Sequence, residues 1–256
     1  MKKLFALVCA AVMAMSLLAA AAADAPAFTT IEPGKLLIST SPDFPPFEST
    51  DDNDNIVGIE PEIMALVAEK LGLEIEFVPM DFTSALAAAQ TGKTDVVMSG
   101  VTASGETGES RRLMFDFTVT YVSITQAIVY KAGSPVTMDD LGNVTVGVQR
   151  GTTGQIYVED AYGEANVVGY DTYSLAFQAL QNGQIDCIVV DDMVAKAYVE
   201  RIPGLEMTQT TFEPEDFAFG VYKQDTGLCD AMNWALQELI EDGTVQAIID
   251  KYNTAE

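Results

Sequence analysis

Short apolar runs rich in β-branched residues alternate along this chain with longer segments whose apolar positions recur every three to four residues. Strands alternating with helices in this way indicate an α/β protein with mainly parallel sheets. Leu36 to Thr40 predicts a first strand, and Pro61 to Leu71 predicts a helix with proline in its first turn, Ile63, Val67 and Leu71 on one stripe, and Gly72 as its stop. A strand over Glu74 to Val78, a helix over Ser84 to Thr91 and a strand over Val96 to Ser99 complete a β-α-β-α-β half. The order then recurs: strand Val144 to Val148, helix Gln155 to Tyr162, strand Val167 to Tyr170, helix Ser174 to Gln181 and strand Ile188 to Val190.

The two halves echo each other in detail. Gly92 and Gly183 each stop a helix eight residues before a strand end, Gly100 in one copy and Asp191 in the other. Gly34 and Gly142 likewise each stand seven residues before Ser41 and Gln149. Two lobes with four matching strand ends are therefore expected to face one another, and in open α/β sheets ligands sit beyond those ends. Phe117 to Tyr130 is expected to be one long strand passing from the first lobe into the second, with Phe217 to Tyr222 as the return. Helices over Leu228 to Glu241 and Thr244 to Tyr252 would cap the first lobe. That assigns 24–121 and 217–256 to a discontinuous lobe 1 and 122–216 to lobe 2, joined by a two-segment hinge.

Residues 1–23 change the picture of where this fold works. Lys2 and Lys3, the apolar run Leu4 to Leu18 and the small residues Ala21, Ala22 and Ala23 read as a secretory leader cleaved near Ala23. The expectation is a periplasmic protein without a lipid anchor, since Cys9 lies inside the apolar run. Cys187 and Cys229 are expected to be inert thiols rather than a disulfide. Loss of Lys2 and Lys3 takes the 13 basic residues to 11 and the net charge from −25 to −27, which speaks against nucleic acid and anionic membranes as partners. The chain has no histidine, so imidazole acid/base chemistry and His-based metal sites are excluded.

With so few basic residues, Arg111 stands out, because it follows the strand end at Gly100 through a polar, glycine-rich loop. Its planar fork suits a carboxylate. Asp191 on the opposing strand end would suit an ammonium, so the pair matches the two ends of a zwitterion; alternatively Asp191 and Asp192 simply cap a helix. The loop Gly151, Thr152, Thr153, Gly154 lies between strand and helix and offers amides to an anionic group, but it is too short for a phosphate loop and lacks its lysine. Phe44 and Phe82, each just past a strand, would flank an aliphatic stem or belong to the core. Asp51, Asn53, Asn55 and Glu62 fall at calcium-loop positions, yet Ile56 replaces the required glycine, so the stretch reads as a solvated turn with no metal.

Taken together, Ser-Thr-Ser-Pro-Asp-Phe-Pro-Pro-Phe-Glu48, Ile-Val-Gly58, Val-Pro-Met-Asp-Phe82, Gln-Thr-Gly-x-x-Asp95, Ser-Gly-Val-Thr102, Gly-Val-Gln-Arg-Gly-Thr-Thr153, Val-Val-Asp191 and the segment ending at Tyr252 carry a resemblance over the whole mature chain. The chain resembles the periplasmic amino-acid-binding proteins of ABC importers. That implies the type II periplasmic-binding-protein fold, each lobe a mainly parallel sheet flanked by helices. It implies Arg111 on a ligand α-carboxylate, helped by the amides of Thr102 and Thr153, and Asp191 on the α-ammonium with Gly100 and the Thr102 hydroxyl. Phe44 and Phe82 would sandwich the ligand, Ser41 and Gln149 lie where the side chain is met, and Thr152 also belongs to the expected ligand-binding set. Neither Ser41 nor Gln149 is charged, so neutral or polar amino acids are expected. The family's connection from threonine to arginine is longer here, and Phe-Asp-Phe117 sets the register to Arg111 rather than Arg112.

The resemblance further implies ABC permease membrane subunits as partners, a monomer, and no cofactor. The rival expectation is a dehydratase-type enzyme on the same fold acting on a small carboxylic substrate, with Glu48, Glu106 or Asp192 as acid. A sensor ectodomain is disfavoured, because no membrane helix follows Glu256.

Overall fold

The computed structural model describes residues 25–224 and 226–253; the expected leader lies outside them. The first half runs β1 (Lys35–Thr40), β2 (Asp43–Phe44), β3 (Glu48–Thr50), β4 (Ile56–Val57), α1 (Ile59–Leu71), β5 (Glu74–Pro79), α2 (Phe82–Gln90), β6 (Val96–Val97), α3 (Gly105–Arg111) and β7 (Phe115–Phe117). Then follow β8 (Val122–Ile124), β9 (Gln126–Lys131), β10 (Val146–Gln149), α4 (Thr153–Tyr162), β11 (Val167–Tyr170), α5 (Tyr173–Gln181), β12 (Cys187–Asp191), α6 (Asp192–Arg201) and β13 (Leu205–Gln209). The chain closes with β14 (Glu215–Phe217), β15 (Gly220–Tyr222), α7 (Leu228–Glu241) and α8 (Thr244–Asn253).

Two five-stranded sheets result, in the orders β5-β1-β6-β15-β7 and β11-β10-β12-β9-β13. In each, the first strand of its half lies between the second and third and pairs parallel with both; β15 and β9 join antiparallel. Each half therefore reverses its winding beside its central strand, and such a reversal opens a crevice at the carboxyl ends. Those ends are Ser41 after β1 and Ser99 and Gly100 after β6, matched by Gln149 on β10 and Asp191 on β12.

The helices form where apolar spacing gives them one buried face. Ile63 and Val67 of α1 and Leu228, Met232, Leu236 and Leu239 of α7 are buried, and α7 and α8 pack against α1. Each such side chain contributes about 1.5–3 kcal/mol when fully buried. Asp81 caps α2 by accepting from Ser84 N at 3.0 Å. Among the described residues no helix is long and apolar enough to cross a membrane.

Two expectations change. Phe117 to Tyr130 is not one strand: β7 belongs to the first sheet, β9 to the second, and β8 pairs only with β14 in a separate ribbon. The break is fixed by Thr118 and Tyr121, whose amides donate to Phe219 O and Phe217 O at 3.1 Å each, so the chain turns around the return segment. That return is itself divided into β14 and β15. The glycine-rich connection before Arg111 is also not a loop but helix α3. Gly108 is there for contact rather than flexibility, since a Cβ would lie 2.3 Å from Ala103 O. Residues 192–209, to which the hydropathy pattern assigns no element, form α6 and β13.

Candidate functional site

Arg111 is the last residue of α3 and is buried. Its Nη1 donates to Thr102 O at 3.2 Å and its Nη2 to Gly151 O at 3.1 Å, so one guanidinium ties the two lobes together. The Phe82 ring lies 5.6 Å from its Cζ. Burial lowers its pKa to about 10, against the charges of Glu215 and Asp191 that hold it up; it is a cation at neutral pH.

Asp191 ends β12 and is buried. Its side chain does not cap α6. Instead Oδ1 accepts from Gln126 Nε2 at 2.7 Å. Burial and then the nearby charge of Glu215 push its pKa well above the ordinary carboxylate range. Glu215, on β14, is 1% exposed and was not marked by the sequence. Its Oε2 accepts from Thr102 Oγ1 at 2.6 Å, and its Oε1 accepts from Gln126 Nε2 at 3.0 Å. Gln126 thus bridges the two carboxylates.

On the first lobe's edge, Ser41 Oγ donates to Asp43 Oδ1 at 2.9 Å, and Ser99 Oγ donates to Glu48 Oε1 at 3.0 Å. Gly100 N donates to Glu60 Oε1 at 3.0 Å, an oxygen that also takes a short bond from Tyr121 O–H. Glu48 and Glu60 are both buried and hydrogen-bond each other. Desolvation, followed by the charge of Glu60, pushes Glu48 well above its ordinary value, so Glu48 holds the proton and Glu60 accepts it.

The lobes also meet directly. Asp43 Oδ2 accepts from Tyr173 N at 2.6 Å and Ser174 N at 3.4 Å, at the start of α5. Tyr198 O–H donates to Asp43 O at 2.9 Å, and Phe44 stacks on Tyr173 with centroids 5.7 Å apart.

The residues expected to bind the ligand line one cleft: Ser41, Phe44, Phe82, Gly100, Thr102 and Arg111 from one side, with Gln149, Thr152, Thr153 and Asp191 from the other. Ser99 joins them, unpredicted, one residue before Gly100. The lobes close to leave about 10 Å³, room for no more than one water, so access requires them to part. A larger depression of about 630 Å³ beside Arg112, Lys223 and Asn233 is open surface and contains none of these side chains.

The three acids considered for catalysis do not meet. Glu48 is buried behind Ser99, Glu106 is exposed on α3, and Asp192 accepts from Thr125 Oγ1 at 2.8 Å. The turn after Asp51 is held by its own aspartate, which accepts from Asn53 N at 2.8 Å and Asn55 N at 2.9 Å. Both thiols are unbridged, and burial pushes Cys187 up to about 12 and Cys229 up to about 11.

Residues 36–255 match the family of bacterial extracellular solute-binding proteins, family 3. A probable histidine-binding protein of Neisseria gonorrhoeae is 32% identical over 255 residues, covering 96% of this chain and 93% of that protein. ABC transporter arginine-binding protein 1 of Escherichia coli strain K12 is 30% identical over 85% of this chain and 90% of its own length. Among solved structures, an ancestral arginine-binding protein bound to glutamine superposes with a TM-score of 0.80 at 38% identity, over 86% of this chain and 97% of that one. These relatives are binding proteins and not enzymes, which removes the dehydratase reading. With its two-lobed type II architecture, the chain belongs to the bacterial extracellular solute-binding proteins, family 3.

Proposed function

We propose that this protein is the substrate-binding component of an ABC importer, capturing an L-amino acid between closing lobes and delivering it, as a monomer, to the permease membrane subunits. The lobes are taken as 24–121 with 217–256, and 122–216; residues 1–23 direct export to the periplasm. The observation that carries the reading is the pair Arg111 and Asp191, a buried cation and a buried carboxyl group brought to one cleft by the end of α3 on one side and the end of β12 on the other.

Arg111 and the amides of Thr102 and Thr153 hold the α-carboxylate. Asp191, Gly100 and the Thr102 hydroxyl, backed by Glu215, hold the α-ammonium. Phe44 and Phe82 flank the stem, and Ser41, Gln149 and Thr152 meet the side chain. A ligand that touches both lobes binds the closed form better than the open one, and that difference in affinity is what shifts the population to closed. Uncharged Ser41 and Gln149 favour a neutral or polar side chain. One observation favours a cationic one instead: Glu215 adds a second buried carboxylate against Arg111, the one buried cation among the described residues.

A thermal-shift screen of ligand-stripped protein against the twenty amino acids tests the reading, since a ligand at 100 times its Kd adds about 2.7 kcal/mol. A clear shift with glutamine or another polar amino acid supports it, and a response to arginine or lysine alone selects the cationic reading. No response to any amino acid overturns both.

A further inference from the structure

Four of the five hydroxyl groups lining the cleft share a direction that no ligand imposes. Ser41 Oγ donates to Asp43 Oδ1 at 2.9 Å, Ser99 Oγ to Glu48 Oε1 at 3.0 Å, and Thr102 Oγ1 to Glu215 Oε2 at 2.6 Å. Thr152 Oγ1 donates to Gln149 O at 2.8 Å. A hydroxyl has one proton and two lone pairs. With the proton committed inward, each of these groups offers the cleft only an acceptor. Gln149 spends one of its two Nε2 hydrogens on Asp171 O at 3.2 Å, which leaves its amide oxygen as an acceptor beside the second N–H. Apart from that second N–H, the lining donors that remain gather at the Arg111 end: the guanidinium itself, and Thr153, two residues past the Gly151 carbonyl that takes Arg111 Nη2.

The direction at Ser41 is fixed by Asp43. A carboxylate has no proton to give, so Ser41 must donate to it and cannot turn round. Asp43 cannot turn either, because its other oxygen is held by Tyr173 N at 2.6 Å and Ser174 N at 3.4 Å. It is not itself part of the cleft wall. Its influence on a ligand passes through Ser41.

The geometry points to Asp43 as the positioning residue that sets side-chain specificity: by holding the Ser41 proton it makes this end of the cleft accept hydrogen bonds, so the cargo is an L-amino acid whose side chain carries N–H donors. Amide, guanidinium, imidazole and ammonium side chains qualify. Carboxylate side chains present acceptors to acceptors and are rejected, and aliphatic ones leave the wall unpaired. This inference rests on the amino-acid reading of the site and narrows it on both sides of the neutral-versus-cationic alternative.

The experiment is calorimetric titration of the full mature protein with the twenty amino acids, with L-glutamine against L-glutamate as the near-isosteric pair. The tightest binder is expected to carry a side-chain N–H, and glutamine to bind at least about 100-fold tighter than glutamate, in line with sites built to pair a specific polar group. The variant Asp43→Asn keeps the shape and keeps an oxygen for Tyr173 N, but turns an amide N–H toward Ser41, releasing the serine proton into the cleft. It is expected to weaken the tightest ligand and narrow its advantage over glutamate, each about tenfold or more, with the ligand-free melting temperature unchanged. Ser41→Ala should weaken the same ligand with no gain for glutamate, which separates inverted polarity from lost contact. A tightest ligand that is acidic or aliphatic overturns the donor assignment. A folded Asp43→Asn protein with the parent ranking removes Asp43 from specificity. Absence of binding by any amino acid overturns the receptor reading itself, and this inference with it.

Discussion

At the end of β12 the chain places a carboxylate, Asp191, directly on the cleft. At the matching end of β6 it places Gly100 and keeps Glu48 and Glu60 one layer back, in contact with the cleft only through Ser99 Oγ and Gly100 N. Gly100 has φ 57, and a Cβ there would lie 2.5 Å from Phe44 Cε1. The backbone conformation and the neighbouring ring therefore exclude an acid at that position. Equivalent strand ends thus reach the site in two ways, one with a carboxyl group on the cleft itself and one with dipoles oriented by the carboxyl groups behind them. The carboxyl on the cleft suits a cationic partner. The oriented dipole suits a neutral group whose direction matters.

Substitutions on the two edges should separate these modes. Asp191→Asn, which removes the carboxyl and keeps the shape, is expected to weaken amino-acid binding about a thousandfold, or about 4 kcal/mol, by calorimetry. The ligand-free protein should unfold as before; near-normal affinity would take Asp191 out of the ammonium site. On the other edge, Glu60→Ala strands Gly100 N, Tyr121 O–H and the Glu48 proton together. A loss of about 3 kcal/mol of stability in urea is expected. Glu48→Gln supplies an N–H where Glu48 supplies its O–H, and should cost less than about 1 kcal/mol in the same titration.

The pH response sharpens the contrast further. Glu48 is held well above its ordinary value of 4.5 in the folded state. Unfolding at a pH between those two values releases its proton. The stability it supports is complete below about pH 4.5 and is lost as pH rises toward its folded pKa, at no more than about 1.4 kcal/mol per pH unit. Denaturation curves from pH 5 to pH 8 should therefore show falling stability, and Glu48→Gln should flatten that fall. Unchanged slopes would place the proton elsewhere. A further effect of similar size belongs to neither edge: Asp81→Ala removes the cap of α2 and should cost about 1 kcal/mol by thermal unfolding. Because hydrogen bonds from Ser84 and Thr83 lower Asp81 to about 2, that contribution is lost as pH falls from about 4 toward 2.

The strand ends were legible because each lies at a repeated offset after a glycine, seven residues for Ser41 and Gln149 and eight for Gly100 and Asp191. Asp43, Gln126 and Glu215 were not. Thr102 and Glu215 are 113 positions apart and Gln126 and Glu215 are 89 apart, and no local periodicity records such a pairing. Glu215 also sits between Pro214 and Asp216, where it looks like one more surface acid. Helix α3 was misread because glycine is a poor helix former on propensity, while Gly108 is needed for its closeness to Ala103. The run from Phe117 to Tyr130 alternates as one strand or two equally well; only Thr118 and Tyr121 bonding to the return segment decide between them.

The small ribbon between the sheets has a mechanical consequence. Its two crossings are joined to each other, Ile124 opposite Glu215, Ser123 opposite Asp216 and Val122 opposite Phe217. A ladder of main-chain bonds resists shear along its length and yields to bending across it, as a leaf spring does. The lobes are thereby left with one easy rotation and little freedom to slide. Shutting the protein is a search along a single coordinate, and its orientational entropy cost has largely been met by the fold before any cargo arrives.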